Sequence, residues 1–263
     1  MGTNVNPISR ESRAIACAIQ FLTRIPVATK TSFTGEDYAN SLFWYPLVGI
    51  LIGVLLLLSS FLVVNNISEV LGAALILALW VAVTGGLHLD GVADCADAWI
   101  GGSGDRGRTF RILKDPRSGP IAVVVLVLIL LLKLTALTAL FTAKYWPVIG
   151  LIPVLARAAL PLIFWRFRYV SVGGLGSALA ADLSVRRVIV CLLLVSVAAT
   201  VVLINQLVIL ALFAVLALLI VLWWQRTCYQ KLGGFNGDCA GALVELLELG
   251  LLLGLAILYG SNP

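Results

Sequence analysis

Runs of roughly 20 apolar residues dominate this chain, at about 43–64, 70–89, 120–142, 147–165, 187–204, 207–225 and 239–259. Each has the length a helix needs to cross the hydrocarbon layer of a bilayer. A 263-residue globule with only 12 % charged residues could not cover its surface in water. Disorder and collagen-like structure are excluded by the same wealth of Leu, Val, Ile and Ala. The expected fold is all-α: one polytopic membrane bundle of about seven transmembrane helices over residues 1–263, with no internal repeat, low-complexity tract or domain boundary.

Arg10 and Arg13 precede a short apolar stretch, Ala14 to Leu22, that resembles a signal peptide. It lacks a small-residue cleavage site and runs into Thr23-Arg24, which favours a retained interfacial or re-entrant helix. Five scattered cysteines without a C-x-x-C pair, and the single histidine His88, indicate neither a zinc site nor a disulfide framework. The net charge of +5 is a matter of orientation rather than of nucleic-acid binding. Fifteen of the 18 Lys and Arg fall in the N-terminal segment (Lys30 among them) and in the polar segments 90–119, 166–186 and 226–238, with Arg187 at their edge. The short connections at Asn65-Asn66, Lys144 and Asn205-Gln206 carry only Lys144, so the N-terminus and the long loops are expected to face the cytoplasm.

The densest chemistry lies in His88-Leu89-Asp90-Gly91-Val92-Ala93-Asp94-Cys95-Ala96-Asp97. On a helix, carboxylates at i, i+4 and i+7 stand at about 0°, 40° and −20°, which is one face. No Lys or Arg is interleaved between His88 and Gly104, so a hard divalent cation is the simplest relief of their repulsion. A solvated acidic helix end is the alternative. Eight glycines and two prolines between Gly85 and Pro120 suggest that the segment is a shaped, irregular loop.

Five cations follow: Arg106, Arg108, Arg111, Lys114 and Arg117. Cations beside a metal-binding acidic cluster suit a phosphate or pyrophosphate substrate, with topology alone as the competing reason for their presence. Lys114 and Arg117 stand out because Asp115-Pro116 and Gly119-Pro120 constrain the turn between them. A third cluster, Gly233-Gly234-Phe235-Asn236-Gly237-Asp238, is a Gly-rich turn leading into a span that carries Glu245 and Glu248. Those glutamates either ligate metal or bond to a neighbouring helix. Arg157, mid-span, reaches either a substrate phosphate or a glutamate. Lys133 is expected to snorkel, and His88 is either a base or a packed core residue.

Five ordered landmarks between residues 21 and 242 resemble one family. They are Phe21-Leu22-Thr23-Arg24-Ile25-Pro26-Val27, Trp44-Tyr45-Pro46-Leu47-Val48-Gly49, His88-Leu89-Asp90-Gly91-x-x-Asp94-x-x-Asp97, Lys114-Asp115-x-Arg117-x-Gly119, and Gly233-Gly234-x-x-Gly237-Asp238-x-x-Gly241-Ala242. The family is that of cobalamin synthase, or adenosylcobinamide-GDP ribazoletransferase. Phe235-Asn236 replaces a familiar Leu-Thr pair, and Pro116 and Pro120 are departures within the basic motif; neither removes a charge.

The resemblance implies an integral-membrane, Mg²⁺-dependent enzyme of the cytoplasmic membrane. Its reaction would join adenosylcobinamide-GDP to α-ribazole or α-ribazole 5′-phosphate, releasing GMP. Asp90, Asp94, Asp97 and Asp238 would then hold Mg²⁺ on the pyrophosphate, with Asp94 and Asp97 as the catalytic carboxylates and Asp97 as general base. Arg24, Lys114, Arg117, Arg157 and Asn236 would bind substrate. Membrane lipid is the expected surrounding partner, and assembly as a homo-oligomer is left open. A transporter using the same carboxylates as an ion or proton pathway is the competing reading.

Overall fold

The computed structural model describes residues 7–28, 32–64, 66–171, 175–181 and 183–260. Lys30 and Asn65, which entered the charge and loop reading, lie outside them. The described residues form twelve α-helices and no strand, as expected of backbone that must satisfy its own hydrogen bonds in lipid. In chain order they are α1 (Pro7–Leu22), α2 (Gly35–Ser41), α3 (Tyr45–Val63), α4 (Glu69–Thr84), α5 (Leu87–Gly101) and α6 (Arg106–Leu113). There follow α7 (Pro120–Thr142), α8 (Ile152–Arg166), α9 (Leu175–Ala181), α10 (Val185–Val202), α11 (Leu207–Leu232) and α12 (Gly237–Tyr259). Six helical segments are long and apolar enough to cross a membrane. The α4–α5 pair, bent by 87°, raises the number to seven if it is counted as one broken span.

That bend corrects the expected span 70–89. Gly85 and Gly86 both adopt left-handed backbone, with φ of 63° and 70°, so α4 ends at Thr84 and a new helix starts at Leu87. The segment 90–119 is therefore not an irregular loop but two helices, α5 and α6. Asp105 caps α6 by accepting hydrogen bonds from the amides of Gly107 and Arg108. The span expected at 207–225 continues to Leu232, which places Arg226 and Lys231 on α11 and leaves residues 233–236 as the Gly-rich turn.

The N-terminal helix is longer than its apolar stretch. It buries Ala14, Cys17, Ala18 and Leu22 and packs on α2 and α3, while Arg10, Ser12 and Gln20 are exposed or half-buried. Ion pairs of Arg10 with Glu36 and of Arg13 with Asp37 (2.6 Å) fasten α1 to α2, and Arg187 reaches Glu11 at 2.9 Å to tie in α10.

At the centre is α12, which packs against α5, α7, α8 and α11 and buries Leu243, Val244, Leu251, Leu252 and Leu255 completely. By contrast α10 and α11 expose Leu193, Val197, Val201, Leu218 and Leu222, the pattern of helices that face lipid. Connections at one end of the bundle are short. There Tyr145 stacks on Tyr259 with ring centroids 4.0 Å apart.

Candidate active site

The opposite end gathers the last turn of α1, the first turns of α3, α5 and α12, the last turn of α8, and the segment after it. Residues 168–170 run beside the Gly-rich turn: the Val170 amide donates to the Phe235 carbonyl and the Phe235 amide to the Arg168 carbonyl, each at 2.9 Å. Asn236 caps α12 by accepting from the Cys239 amide at 3.0 Å, and its own amide group donates to Asp238 at 2.7 Å. The sequence-predicted substrate contact Asn236 is thus also the residue that orients Asp238.

Helices α5 and α12 touch at Gly91. A methyl group there would stand 2.6 Å from the Asp238 carbonyl oxygen and 3.1 Å from the Ala242 amide nitrogen, so only glycine permits this approach. As a result Asp90 and Asp238 line one cavity of about 330 Å³, together with Asn236 and His88. The rest of the lining includes the apolar and aromatic side chains of Phe21, Tyr45, Leu160, Phe164 and Tyr169.

Asp94, one turn along α5, lies in the combined negative field of Asp90, Asp238 and Asp97. Asp97 is engaged differently: it accepts hydrogen bonds from the backbone amides of Gly119 (2.5 Å) and Ala122 (3.0 Å), which fastens α5 to the start of α7. Of the three carboxylates only Asp90 lines the cavity; Asp94 and Asp97 stand further along the same helix.

Among the described residues no three His, Cys, Asp or Glu side chains stand close enough to hold a metal ion by themselves. The donor set nevertheless fits Mg²⁺. That ion is usually held by one or two carboxylates, with water and substrate phosphate oxygens completing the shell, and Asp90 and Asp238 are two such groups at one cavity.

The basic residues are less convergent than expected. Arg24, Lys114 and Arg117 are exposed and do not line the cavity. Arg24 lies across Gly85, where its side chain fills the space that a Cβ would take. Arg117 forms a two-pronged pair with Asp115, at 2.9 and 2.8 Å. Hydrogen bonds from the Arg117 side chain and then from its backbone hold the Asp115 carboxyl down at about 2.

Arg157 is fully buried and donates to Glu248 at 2.6 Å, so of its two expected partners the structure supplies the glutamate. Lys133 does not snorkel. It is 2 % exposed and pairs with Glu245 at 2.5 Å and Glu248 at 2.9 Å, and it stands 4.7 Å from the centre of the Trp80 ring. The glutamates thus bond to neighbouring helices and are not at the cavity. His88 is buried, lines the cavity, and has no hydrogen-bond partner on either ring nitrogen among the described residues.

The aromatic lining is assembled from distant parts of the chain. Its members come from α1, α3, α8 and the following segment, and no local sequence pattern links them.

The family model described as cobalamin-5-phosphate synthase matches residues 14–256. A protein of Ectopseudomonas mendocina, named adenosylcobinamide-GDP ribazoletransferase, is 52 % identical over 240 residues, covering 91 % of this chain and 97 % of its own length. Proteins of the same name from Stutzerimonas stutzeri and Pseudomonas aeruginosa are each 47 % identical, covering 92 % and 93 % of this chain and 97 % and 98 % of their own. No solved structure matches. With the ordered landmarks, the helical membrane bundle and the paired carboxylates at its end, these matches place the chain in the cobalamin-5-phosphate synthase family.

Proposed function

We propose that this chain joins adenosylcobinamide-GDP to α-ribazole, or to α-ribazole 5′-phosphate, at the cytoplasmic face of the inner membrane. The products are adenosylcobalamin or its phosphate, and GMP. The observation that carries this reading is that Asp90 and Asp238, from two different helices, line one cavity at the end of the bundle. The relatives bear the name of this activity over nearly their whole length. The one-sided distribution of Lys and Arg supports the orientation.

A ribose hydroxyl of the acceptor attacks the phosphorus on the cobinamide side of the pyrophosphate. A new P–O bond forms as the P–O bond towards the guanosine-bearing phosphate breaks, and GMP departs with that electron pair. Asp94, which carries no hydrogen bond among the described residues, takes the hydroxyl proton. Mg²⁺, when bound, supplies neutralisation of the charge that develops on the pyrophosphate oxygens. Asp90 and Asp238 are the residues that would hold it.

Asn236 keeps the Asp238 carboxylate turned to the cavity, and Asp97 fixes the far end of α5 against α7. Arg24, Lys114 and Arg117 supply positive potential at this end for an anionic substrate. Arg157 contributes through Glu248, not through substrate. The transporter reading is not favoured: the charges midway along the bundle are paired with one another, and Asp90, Asp94, Asp97 and Asp238 lie at one end.

The test is detergent-solubilised protein supplied with Mg²⁺, adenosylcobinamide-GDP and α-ribazole. GMP release matched by a new corrinoid product supports the proposal. Activity that requires sealed vesicles and releases no GMP contradicts it.

A further inference from the structure

We infer that the cavity beside Asp90 and Asp238 is the seat of the acceptor nucleoside, with the aromatic base of α-ribazole held between the ring-bearing walls and met by His88. The corrinoid nucleotide approaches from outside the cavity. This assignment rests on the reaction proposed above and adds which substrate goes where.

Size is the first reason. At about 330 Å³ the cavity is at the small end of ligand sites, which run from about 300 to 1,000 Å³. It suits a nucleoside. A corrin ring bearing a nucleotide is several times bulkier and cannot enter.

The walls are the second reason. Phe21 and Tyr45 form one stacked pair, with ring centroids 6.2 Å apart and planes 18° apart. Phe164 and Tyr169 form another, at 5.8 Å and 23°. All four rings line the cavity. Flat aromatic faces suit a flat, uncharged, methylated base, and stacking is the interaction they provide. They have little to offer a pyrophosphate.

His88 is the third. It is 3 % exposed, and both ring nitrogens lack a hydrogen-bond partner among the described residues. A buried polar group left without a hydrogen bond is costly, so its presence in a cavity wall indicates a ligand atom that completes it. The benzimidazole of α-ribazole keeps one unsubstituted ring nitrogen as an acceptor, and the imidazole N–H is a matching donor. Asp90 and Asp238 lie in the same cavity, where the ribose hydroxyls of a neutral nucleoside can donate to them.

The experiment uses the full-length protein in lipid nanodiscs. Binding of α-ribazole alone is measured by calorimetry, and KM is measured separately for α-ribazole and adenosylcobinamide-GDP. Phe164→Leu keeps apolar bulk but removes the stacking face, and His88→Asn removes the imidazole. Each should weaken α-ribazole binding and raise its KM by roughly tenfold or more, with the KM for adenosylcobinamide-GDP nearly unchanged. A rise in the KM for adenosylcobinamide-GDP with that for α-ribazole unchanged overturns the assignment. So does wild-type affinity for α-ribazole in both variants. Wild-type protein that binds α-ribazole through these residues but forms no product would instead contradict the reaction and leave the cavity assignment standing.

Discussion

Arg157 and Glu248 meet at 2.6 Å inside the bundle, with side-chain exposures of 0 % and 2 %. Glu248 also accepts from Lys133 at 2.9 Å and from the Trp80 indole at 3.3 Å, so one carboxylate on α12 collects partners from α8, α7 and α4. A charge buried away from water is tolerated when it is paired, and removing one member leaves its partner uncompensated. Glu248→Gln should therefore cost about 3–5 kcal/mol of stability, measured as resistance to denaturing detergent.

The contact of Gly91 with the Asp238 carbonyl is a second point of sensitivity. Gly91→Ala places a methyl group 2.6 Å from that oxygen, which must push α5 and α12 apart. The expected result is a loss of about 1–3 kcal/mol together with most of the activity. Gly35→Ala, where no atom lies within 4 Å, is the comparison and should behave as wild type.

The extent to which the sequence revealed this arrangement depended on how local each signal was. The apolar runs located the spans because crossing a bilayer imposes a minimum length, and the spacing of Asp90, Asp94 and Asp97 gave a shared face because helical periodicity is local. The break at Gly85-Gly86 was less legible: two glycines permit left-handed backbone but do not require it. The partner of Arg157 lies 91 residues away, beyond any periodic pattern. The aromatic cavity wall and the pairing of residues 168–170 with Phe235 likewise arise from tertiary packing alone. Asp97 looked equivalent to its neighbours in sequence, and only the position of Gly119 shows that its oxygens receive backbone amides.

The Asp115–Arg117 pair gives a prediction in pH. Its carboxyl is held down to about 2 by Arg117, below the ordinary value near 3.9 in an unfolded chain. The folded state is therefore favoured by this group above about pH 4, and that contribution is lost as the pH falls through about 2. Arg117→Ala should return the Asp115 carboxyl towards its ordinary value, followed by carbon-13 NMR titration of a selectively labelled sample. An unchanged midpoint would show that the pair does not persist in solution.

Removal of divalent cations should abolish turnover, and Mg²⁺ should restore it. The Asp90 and Asp238 oxygens suit a small hard cation that shares its shell with phosphate oxygens. Chelator-treated protein should retain its helical circular dichroism, because the fold is fastened by α12 packing and the buried ion pairs, not by metal. Full activity in chelator would exclude the metal from the reaction.

The most direct test of the central claim is GMP release by purified Asp90→Asn and Asp238→Asn proteins at saturating Mg²⁺, adenosylcobinamide-GDP and α-ribazole. Asparagine keeps the shape and removes the charge, so both variants should fold as wild type while turnover falls by about 100-fold or more. Release of GMP at the wild-type rate by either variant would contradict the assignment of the active site to this cavity.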